Sequence, residues 1–564
     1  MGTRYLVGLC IVLAVSAVLL TPPSLWPDSA QQLAFKTFGP PSPQELPAGR
    51  TPAVFEAEAP CTEPEPEWRR PQDIDGVDVE GSRVCNPDNP FEIAAFVKGT
   101  NNISHSVLMK TRLSPDAIIK RDDLDKDGDP DVIEIRLEVS ELNGFSPDTE
   151  EPVPGYFIAP GVQPGFWVFS PKARGMATEN FEEVKAHRSL RPPSPVIRVE
   201  QGDKIKIILE NTHYMPHTIH FHGVDHPFVD EHGEGNDGVP QTSEIPVMPG
   251  EARSYELKPR QSGTMFYHCH VQPTVHILMG LQGMFVVEEN RPDNWVQTLN
   301  IGAGHVRHRS RAVREVYDRE YDLHYQDIDN DMHTLIQGTN DPRSVIKNIH
   351  QRYDITERTP DYFLLNGKSF PYTIRESMVV VSPNERVRLR VLNGGGKGVA
   401  LHTHGHKATI THTDGVLVPE GTRLRRDVVW VAPAQRVDLL LETKNDGLRS
   451  YGEGIWLFHD HQETAITNDG IGPGGGISAI VYESFLDEDG WPRLQGVDWS
   501  PYFSKAYYEG EVPVWQAYDP LNHFGDTARA NSGLLRSILL AVDLGLLSTM
   551  LVILFRQWGR SQRA

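Results

Sequence analysis

The sequence predicts an all-β protein built around two β-sandwich domains of similar design. Glycine and proline number 48 and 44 among 564 residues, and they bound short valine-rich runs, the texture of strands and turns. VIRVEQGDKIKIILEN (196–211) alternates apolar and polar residues around a Gly-Asp turn, like a hairpin strand pair of a β-sandwich, and MVVVSPNERVRLRVLN (378–393) is a second such passage. Each passage is followed by two histidine clusters: HTIHFHG (217–223) and FYHCHVQPTVH (266–276), then LHTHGH (401–406) and WLFHDHQ (456–462). The same order of parts occurring twice implies an internal duplication.

The elements follow in order. Residues 1–30 contain YLVGLCIVLAVSAVLL (5–20) behind Arg4, either a cleaved export signal or an N-terminal anchor. Residues 31–120 form a Pro/Glu-rich lead-in, too poor in apolar residues to build a core. The first sandwich is expected over 121–290 and the second over 291–490, with 491–533 an aromatic-rich tail. Residues 534–555 are an apolar run followed by Arg556, Arg560 and Arg563 in a basic tail, 556–564. A helix of that length spans about 33 Å, enough for a bilayer core of roughly 30 Å. The arginines place the tail in the cytoplasm and the large middle outside, as a membrane-anchored extracytoplasmic protein. Asp543 inside the run costs about 2.5–3.5 kcal/mol on insertion; a second helix or Arg536, on the same face, is its expected partner, and no catalytic role is assigned to it.

Composition narrows the partners. A net charge of −22 excludes nucleic acid and anionic lipid headgroups as the main ligand. Four cysteines are present. Cys10 lies in the N-terminal apolar segment, and an oxidising compartment would permit Cys61 and Cys85 to pair. Cys269 is left alone, and a lone thiol in an exported protein is reactive, buried or bound.

The acidic stretch RDDLDKDGDPDVIEI (121–135) fits a calcium loop, with Asp123, Asp125, Asp127, Asp129 and Asp131 alternating, Gly128 at the turn and Glu134 in the final ligand position;. Pro130 departs from the pattern because it has no N–H. The alternative is a solvated acidic turn leading into a strand. Such an ion would be structural.

Residues two apart on a strand share a face, so His-x-His presents two imidazoles side by side. Four such pairs occur: His220/His222, His268/His270, His402/His404 and His459/His461. Eight buried imidazoles need partners, and a metal cluster supplies them. Thiolate plus two imidazoles is the blue-copper donor set. Cys269 supplies the thiolate, His276 one imidazole and His217 the other. On a strand Cys269 points away from His268 and His270, so one copper can sit behind the strand and others in front. The cysteine is then an electron wire.

On these motifs the chain resembles the multicopper oxidases, in particular the laccase-like branch with two cupredoxin domains. The resemblance covers roughly residues 130–490 and implies two Greek-key cupredoxin-like sandwiches with blue (type 1) copper in the first only. It implies four coppers per functional site, one type 1, one type 2 and two type 3. The HxxHxHG and HCH patterns fall at 217–223 and 268–281, and HxHG and HxH at His402, His404, Gly405, His459 and His461. By resemblance His220 and His402 hold type 2 copper, and His222, His268, His270, His404, His459 and His461 hold the type 3 pair. Val399 and Asp460 stand where a second blue copper would need histidine and cysteine. The axial slot is Leu281 rather than methionine, leaving three ligands and a raised potential; Met279 and Met284 are rivals more in keeping with core packing. The Cys269 to His276 spacing is longer than in common laccases and shorter than in copper nitrite reductases.

The implied reaction takes single electrons from a donor through Cys269, His268 and His270 and reduces dioxygen to water. Asp225, Asp414 and Glu463 are the neighbouring carboxylates, each read as an ordinary loop residue. His213, His226, His232, His406 and His412 do not match ligand spacing and are expected behind the ligands or on the surface, and the His305–His333 segment reads as a solvated interdomain face. Two alternatives stand beside the oxidase: a copper nitrite reductase, and a membrane-tethered electron carrier without catalysis. The donor, whether phenol, metal ion or redox protein, is not readable. The resemblance implies a homotrimer with the trinuclear site between subunits; spacing alone also permits a site within one chain.

Overall fold

The computed structural model describes residues 72–74, 77–79, 114, 116–126, 130–144, 155–173, 190–290, 298–300, 302–306, 317–339, 341–487, 490–494, 499–512, 541–553, 555–556 and 559–560. Cys10, Cys61, Cys85, Asp127, Asp129, Arg536, Arg563 and the segment read as a signal or anchor lie outside the described residues. Residues 51–493 with 502–508 form one compact unit. Within it, Gln72–Ile74 and Val77–Val79 make a short antiparallel hairpin.

The first half of this unit contributes β1 (Ile118–Arg121), β2 (Val132–Leu142), β3 (Phe166–Pro171), β4 (Val196–Glu200), β5 (Lys204–Glu210), β6 (His220–His222), β7 (Ala252–Leu257), β8 (Gly263–His268), β9 (Gln282–Glu288) and β10 (Leu299–Asn300), with a single helical turn, α1 (Pro273–His276), between β8 and β9. One sheet runs β1-β2-β5-β7 with β3 also on β2, and the other β10-β4-β9-β8-β6. β2 and β5 are parallel, as are β4 and β9. Alternate residues of both sheets, Ile133, Ile135, Leu137, Ile205, Ile207 and Tyr255 against Ile197, Phe221, Tyr267 and Phe285, form one core. This is a β-sandwich with inward faces interdigitated.

The second half adds β11 (Gly304–Val306), β12 (Arg319–Ile328), α2 (Asn330–Gln337), α3 (Pro342–Arg352), β13 (Tyr362–Leu365), β14 (Val379–Val381), β15 (Arg386–Asn393), β16 (Val399–Thr403), β17 (Ala408–Thr413), β18 (Val428–Val431), β19 (Arg436–Glu442), β20 (Ile455–Asp460) and β21 (Ser478–Tyr482). Here β11-β12-β15-β19-β17 faces β14-β21-β20-β16-β18, and Leu323, Val387, Leu389, Val391 and Leu439 meet Val381, Leu401, Val431, Phe458 and Ile480 in a second core. The fold is mostly β, in two sandwiches.

The two sandwiches meet over a buried ion cluster. Arg198 of β4 donates to Asp322 of β12 at 2.7 and 2.9 Å, and Arg390 of β15 reaches Glu288 of β9 at 3.3 Å and Asp438 of β19 at 3.2 Å. Arg390 also pairs with Glu320, and Arg388 with Asp438. Charges so deeply buried are tolerable only in mutual contact.

The segment read as a solvated interdomain face is otherwise. Tyr321, His324, Met332 and His333 are all buried. α2 and α3 are an insertion between β12 and β13. Asp329 caps α2 by accepting from the N–H groups of Asp331 and Met332, and Asp341 caps α3 by accepting from Arg343;. Their apolar faces, Met332, Ile336, Val345 and Ile349, join the core of the first sandwich rather than the second. The polar residues Gln326, Asp327 and Asp329 of this segment are buried as well, while Asn330 and Asp331 at the start of α2 face solvent.

Residues 541–553 are helical. No helix among the described residues is long and apolar enough to cross a membrane, and residues 534–540 lie outside them.

Candidate metal centres

The strand register explains how one dipeptide step serves two sites. Along β8 and just beyond, Met265, Tyr267 and Cys269 face the sandwich core, while Phe266 packs on the opposite face, the side to which His268 and His270 also point. Phe266 is opposite His222 and His268 opposite His220 on β6.

Behind the strand, His217, Cys269 and His276 are each 0% exposed, and one donor atom from each lies within 4.8 Å of the others. Cys269 Sγ is 3.3 Å from His276 Nδ1 and 3.7 Å from His217 Nδ1. Burial pushes the Cys269 thiol up to about 12 and holds His276 down to about 3; a desolvated thiol beside neutral imidazoles becomes a thiolate when a cation joins it. Leu281, the residue expected in the axial slot, is fully buried; its carbonyl accepts from Cys269 N and its N–H donates to the His276 carbonyl. Of its rivals, Met279 belongs to the same core and Met284 to the core on the far face.

In front, His220, His222 and His268 bring donor atoms together. His222 Nε2 and His268 Nε2 are 2.9 Å apart, and His270 lies 5.3 Å from His220 between ring centres. The second sandwich repeats this. His402, His404 and His459 converge, His404 Nε2 and His459 Nε2 are 3.2 Å apart, and His461 is 5.4 Å from His402 between ring centres. In four of the eight, Nδ1 meets a backbone carbonyl: His220 on Asp237, His268 on Cys269, His402 on Asp427 and His459 on Asp460. That bond fixes the tautomer and frees Nε2 as a donor to metal. Burial and like neighbours hold His268 down to about 3 and His222 to about 4, so these rings stay neutral near pH 7, the form a metal donor requires.

The glycines of the two HxHG motifs have a physical reason. Gly223 and Gly405 adopt φ of +79° and +62°, and a Cβ would stand 2.7 Å from Met265 Sδ and 2.4 Å from the Trp456 ring;.

Among the described residues, ring contacts join histidines within each set of four, and none joins a histidine of one set to a histidine of the other. Each set thus gathers four of the eight paired histidines.

Where the first sandwich has His217 and Cys269, the second has Val399 and Asp460, both buried. Asp460 accepts from Ala400 N and Gln462 N and so closes the turn that carries His461. In the acidic loop, Asp123, Asp125 and Asp131 converge, but Glu134 is turned into β2 and paired with Arg136 at 3.0 Å. Asp225 is bound to Arg260, Asp414 to Arg436, and Glu463 lies 3.9 Å from His461.

Sequence reasoning left three contacts unread. His213 Nδ1 is 2.8 Å from His217 Nε2. Asp237 lies 3.4 Å from His220 Nδ1 and 3.2 Å from His226 Nε2. Trp167, fully buried, has its ring 5.1 Å from His276. The extra histidines flanking the motifs were the available signal for the first two; Trp167 arrives from a distant strand and gave none. Of the other flanking histidines, His406 bonds Tyr482 Oη at 3.0 Å, His412 approaches Asp438 and His232 is exposed.

Comparison with known proteins follows this geometry. Multicopper oxidase family profiles match residues 190–292 and 322–465. The chain is 28% identical over 262 residues to the iron transport multicopper oxidase FET3 of Gibberella zeae, covering 46% of this chain and 35% of that protein. It is 26% identical over 299 residues to laccase-2 of Botryotinia fuckeliana, covering 52% and 45%. Among solved structures, a blue copper oxidase from Nitrosomonas europaea aligns at 23% identity with a TM-score of 0.47, over 67% of this chain and 94% of that one. The matched region is thus about a third of the length of the first of these relatives. One profile match spans His220, His222, His268 and His270 and the other His402, His404, His459 and His461, so both halves of the duplicated set lie in multicopper oxidase family domains.

Proposed function

We propose that the chain is a laccase-like copper oxidase that takes single electrons from a donor and delivers them to dioxygen, which is reduced to water. The observation that carries this reading is the position of Cys269, buried with His217 and His276 on one face of its strand while its neighbours His268 and His270 reach the four-histidine set on the other. The donor chemistry fits copper: one thiolate and two imidazoles for type 1, and imidazoles only for the rest.

In this reading His217, Cys269 and His276 hold type 1 copper with Leu281 in the axial position. His220 and His402 hold type 2 copper; His222, His268, His270, His404, His459 and His461 hold the type 3 pair. Copper, when bound, supplies the one-electron redox chemistry that the protein lacks. The chain fixes the ring tautomers through the carbonyls of Asp237, Cys269, Asp427 and Asp460, keeps water from Cys269, and joins the two sites by one covalent step through Cys269 to His268 and His270.

The half-sites support a shared site in a homotrimer, the first set of one copy facing the second set of another. Side chains on the second face support it: His461 is 54% exposed, and Val428 and Trp430, which pair with His402 and Ala400 of β16, are 39% and 58% exposed. Sedimentation of copper-loaded protein is expected to give a trimer, and a monomer retaining its full copper would contradict it. The apolar 534–555 run supports an anchor that leaves the sandwiches extracytoplasmic, and the convergence of Asp123, Asp125 and Asp131 supports a structural calcium ion, without Glu134. The donor belongs to one of three classes: phenols, reduced metal ions or a redox protein.

Oxygen uptake by purified copper-loaded protein with these donors tests the reading. Steady uptake with about four coppers per chain supports it; about two coppers with nitric oxide released from nitrite would favour a nitrite reductase, and copper loading with no turnover an electron carrier.

A further inference from the structure

The reading above leaves open how electrons reach Cys269. Both histidines of its site are 0% exposed. His276 Nε2 is buried without a hydrogen-bond partner, so its outer edge faces apolar protein rather than solvent. Trp167 covers it at 5.1 Å. Around the turn that carries it, Val275, Leu278 and Met279 share a core with Met332, Ile336, Val345 and Ile349 of the α2–α3 insertion. The insertion is fastened there by His333 Nδ1 to the Gly165 carbonyl at 2.6 Å and by Gln337 to the Asn143 carbonyl at 2.6 Å. His276 thus has no edge of its own open to solvent.

The His217 side is different. Its Nε2 meets His213 Nδ1 at 2.8 Å, and the His213 ring lies 4.0 Å from the Tyr214 ring, tilted by 37°. Tyr214 is only partly buried, and its hydroxyl donates to the buried Glu141 at 3.4 Å. A continuous path of a phenol ring, an imidazole and a hydrogen bond thus leads from the surface to a residue that touches the metal position. The net charge of −22 raises the concentration of cations around the molecule as a whole, and the buried Glu141 carboxyl stands at the Tyr214 hydroxyl.

Resting on the copper reading, we infer that electrons enter through Tyr214 and His213, from a cationic outer-sphere one-electron donor held against the exposed edge of Tyr214, and that His276 is closed to donors by the α2–α3 insertion. In the step the donor is oxidised by one electron and copper(II) at the Cys269 site becomes copper(I). No bond forms or breaks; Tyr214 keeps its phenolic proton against Glu141, and the proton between His213 and His217 stays in place.

The test is anaerobic stopped-flow reduction of copper-loaded protein by hexaammineruthenium(II), followed by loss of the thiolate-to-copper colour. Tyr214→Leu, which keeps apolar bulk but removes the ring, is expected to slow reduction about tenfold, and Tyr214→Phe to stay within about twofold. Visible spectrum and reduction potential should be those of the parent in both. A Leu variant reduced at the parent rate overturns the inference, and so does a slowed one with a shifted potential, since that marks damage to the site. Where Tyr214→Leu does not fold, a bulky maleimide on Thr212→Cys, an exposed position beside the path, should slow reduction, and the same label on Ile346→Cys of α3 should not; the reverse pattern overturns it. A parent protein that binds copper without colour would instead sink the copper reading itself.

Discussion

At the residue scale, Cys269 is the hinge of the account. Its side chain is one of three donors behind the strand, and its carbonyl accepts from His268 Nδ1 in front at 2.9 Å. Cys269→Ser removes the soft donor and leaves the fold, because serine is smaller and the site is already desolvated. About one copper of four should be lost together with all colour, while the remainder stays on the histidines; metal analysis and absorption check this, and loss of every copper would contradict it. The HxHG glycines are a second residue-scale case. Gly405→Ala places a Cβ on a φ of +62° against Trp456, and should cost more than about 1 kcal/mol, read by denaturant unfolding of the metal-free protein.

At the element scale, legibility follows chemistry. The paired histidines were readable because period-two spacing on a strand is enough to put two rings on one face. The strand passages 196–211 and 378–393 were readable by the same alternation, and they fold as β4–β5 and β14–β15, but not as hairpins: in each passage the turn carries the chain from one sheet of the sandwich to the other. The insertion was not. Its sequence mixes Asp, Asn, His and Arg with scattered apolar residues, His333 being buried among the latter, and only the three-dimensional partner, the first sandwich rather than the second, tells where Met332 and Ile336 go. The buried ion cluster was equally illegible: Arg198, Glu288, Glu320, Asp322, Arg388, Arg390 and Asp438 occupy alternating strand positions that read as solvated. Their pairing across the sandwiches makes removal of one member costly. Arg198→Met strands Asp322 without its bidentate partner and should cost about 3–5 kcal/mol, measured as a shift of the unfolding midpoint; a change under 1 kcal/mol would show the cluster to be wet.

At the scale of the whole molecule, the site is a density of buried neutral histidines, and this sets a pH dependence. Burial holds His213, His268, His276 and His324 down to about 3, and His222 and His333 to about 4. A group depressed in the folded state stabilises above its unfolded value, near 6.5, and that stability is lost as pH falls toward the folded value. Glu138 and Glu141 oppose this, since burial raises both to about 7 and their contribution grows as pH falls from 7 toward 4.5. Six histidines outweigh two carboxyls, so metal-free protein should lose stability between pH 6.5 and 4. Thermal melts across that range check it, and a flat profile would mean that the rings are solvated. Copper should flatten the upper part of the profile by holding the ligands neutral.

The most direct measurement is copper content and visible absorption of the same purified, loaded sample, with Cys269 alkylation in parallel. The account expects about four coppers per chain, an intense thiolate-to-copper band and a thiol closed to alkylation. A colourless protein whose Cys269 alkylates freely in the presence of bound copper would contradict it.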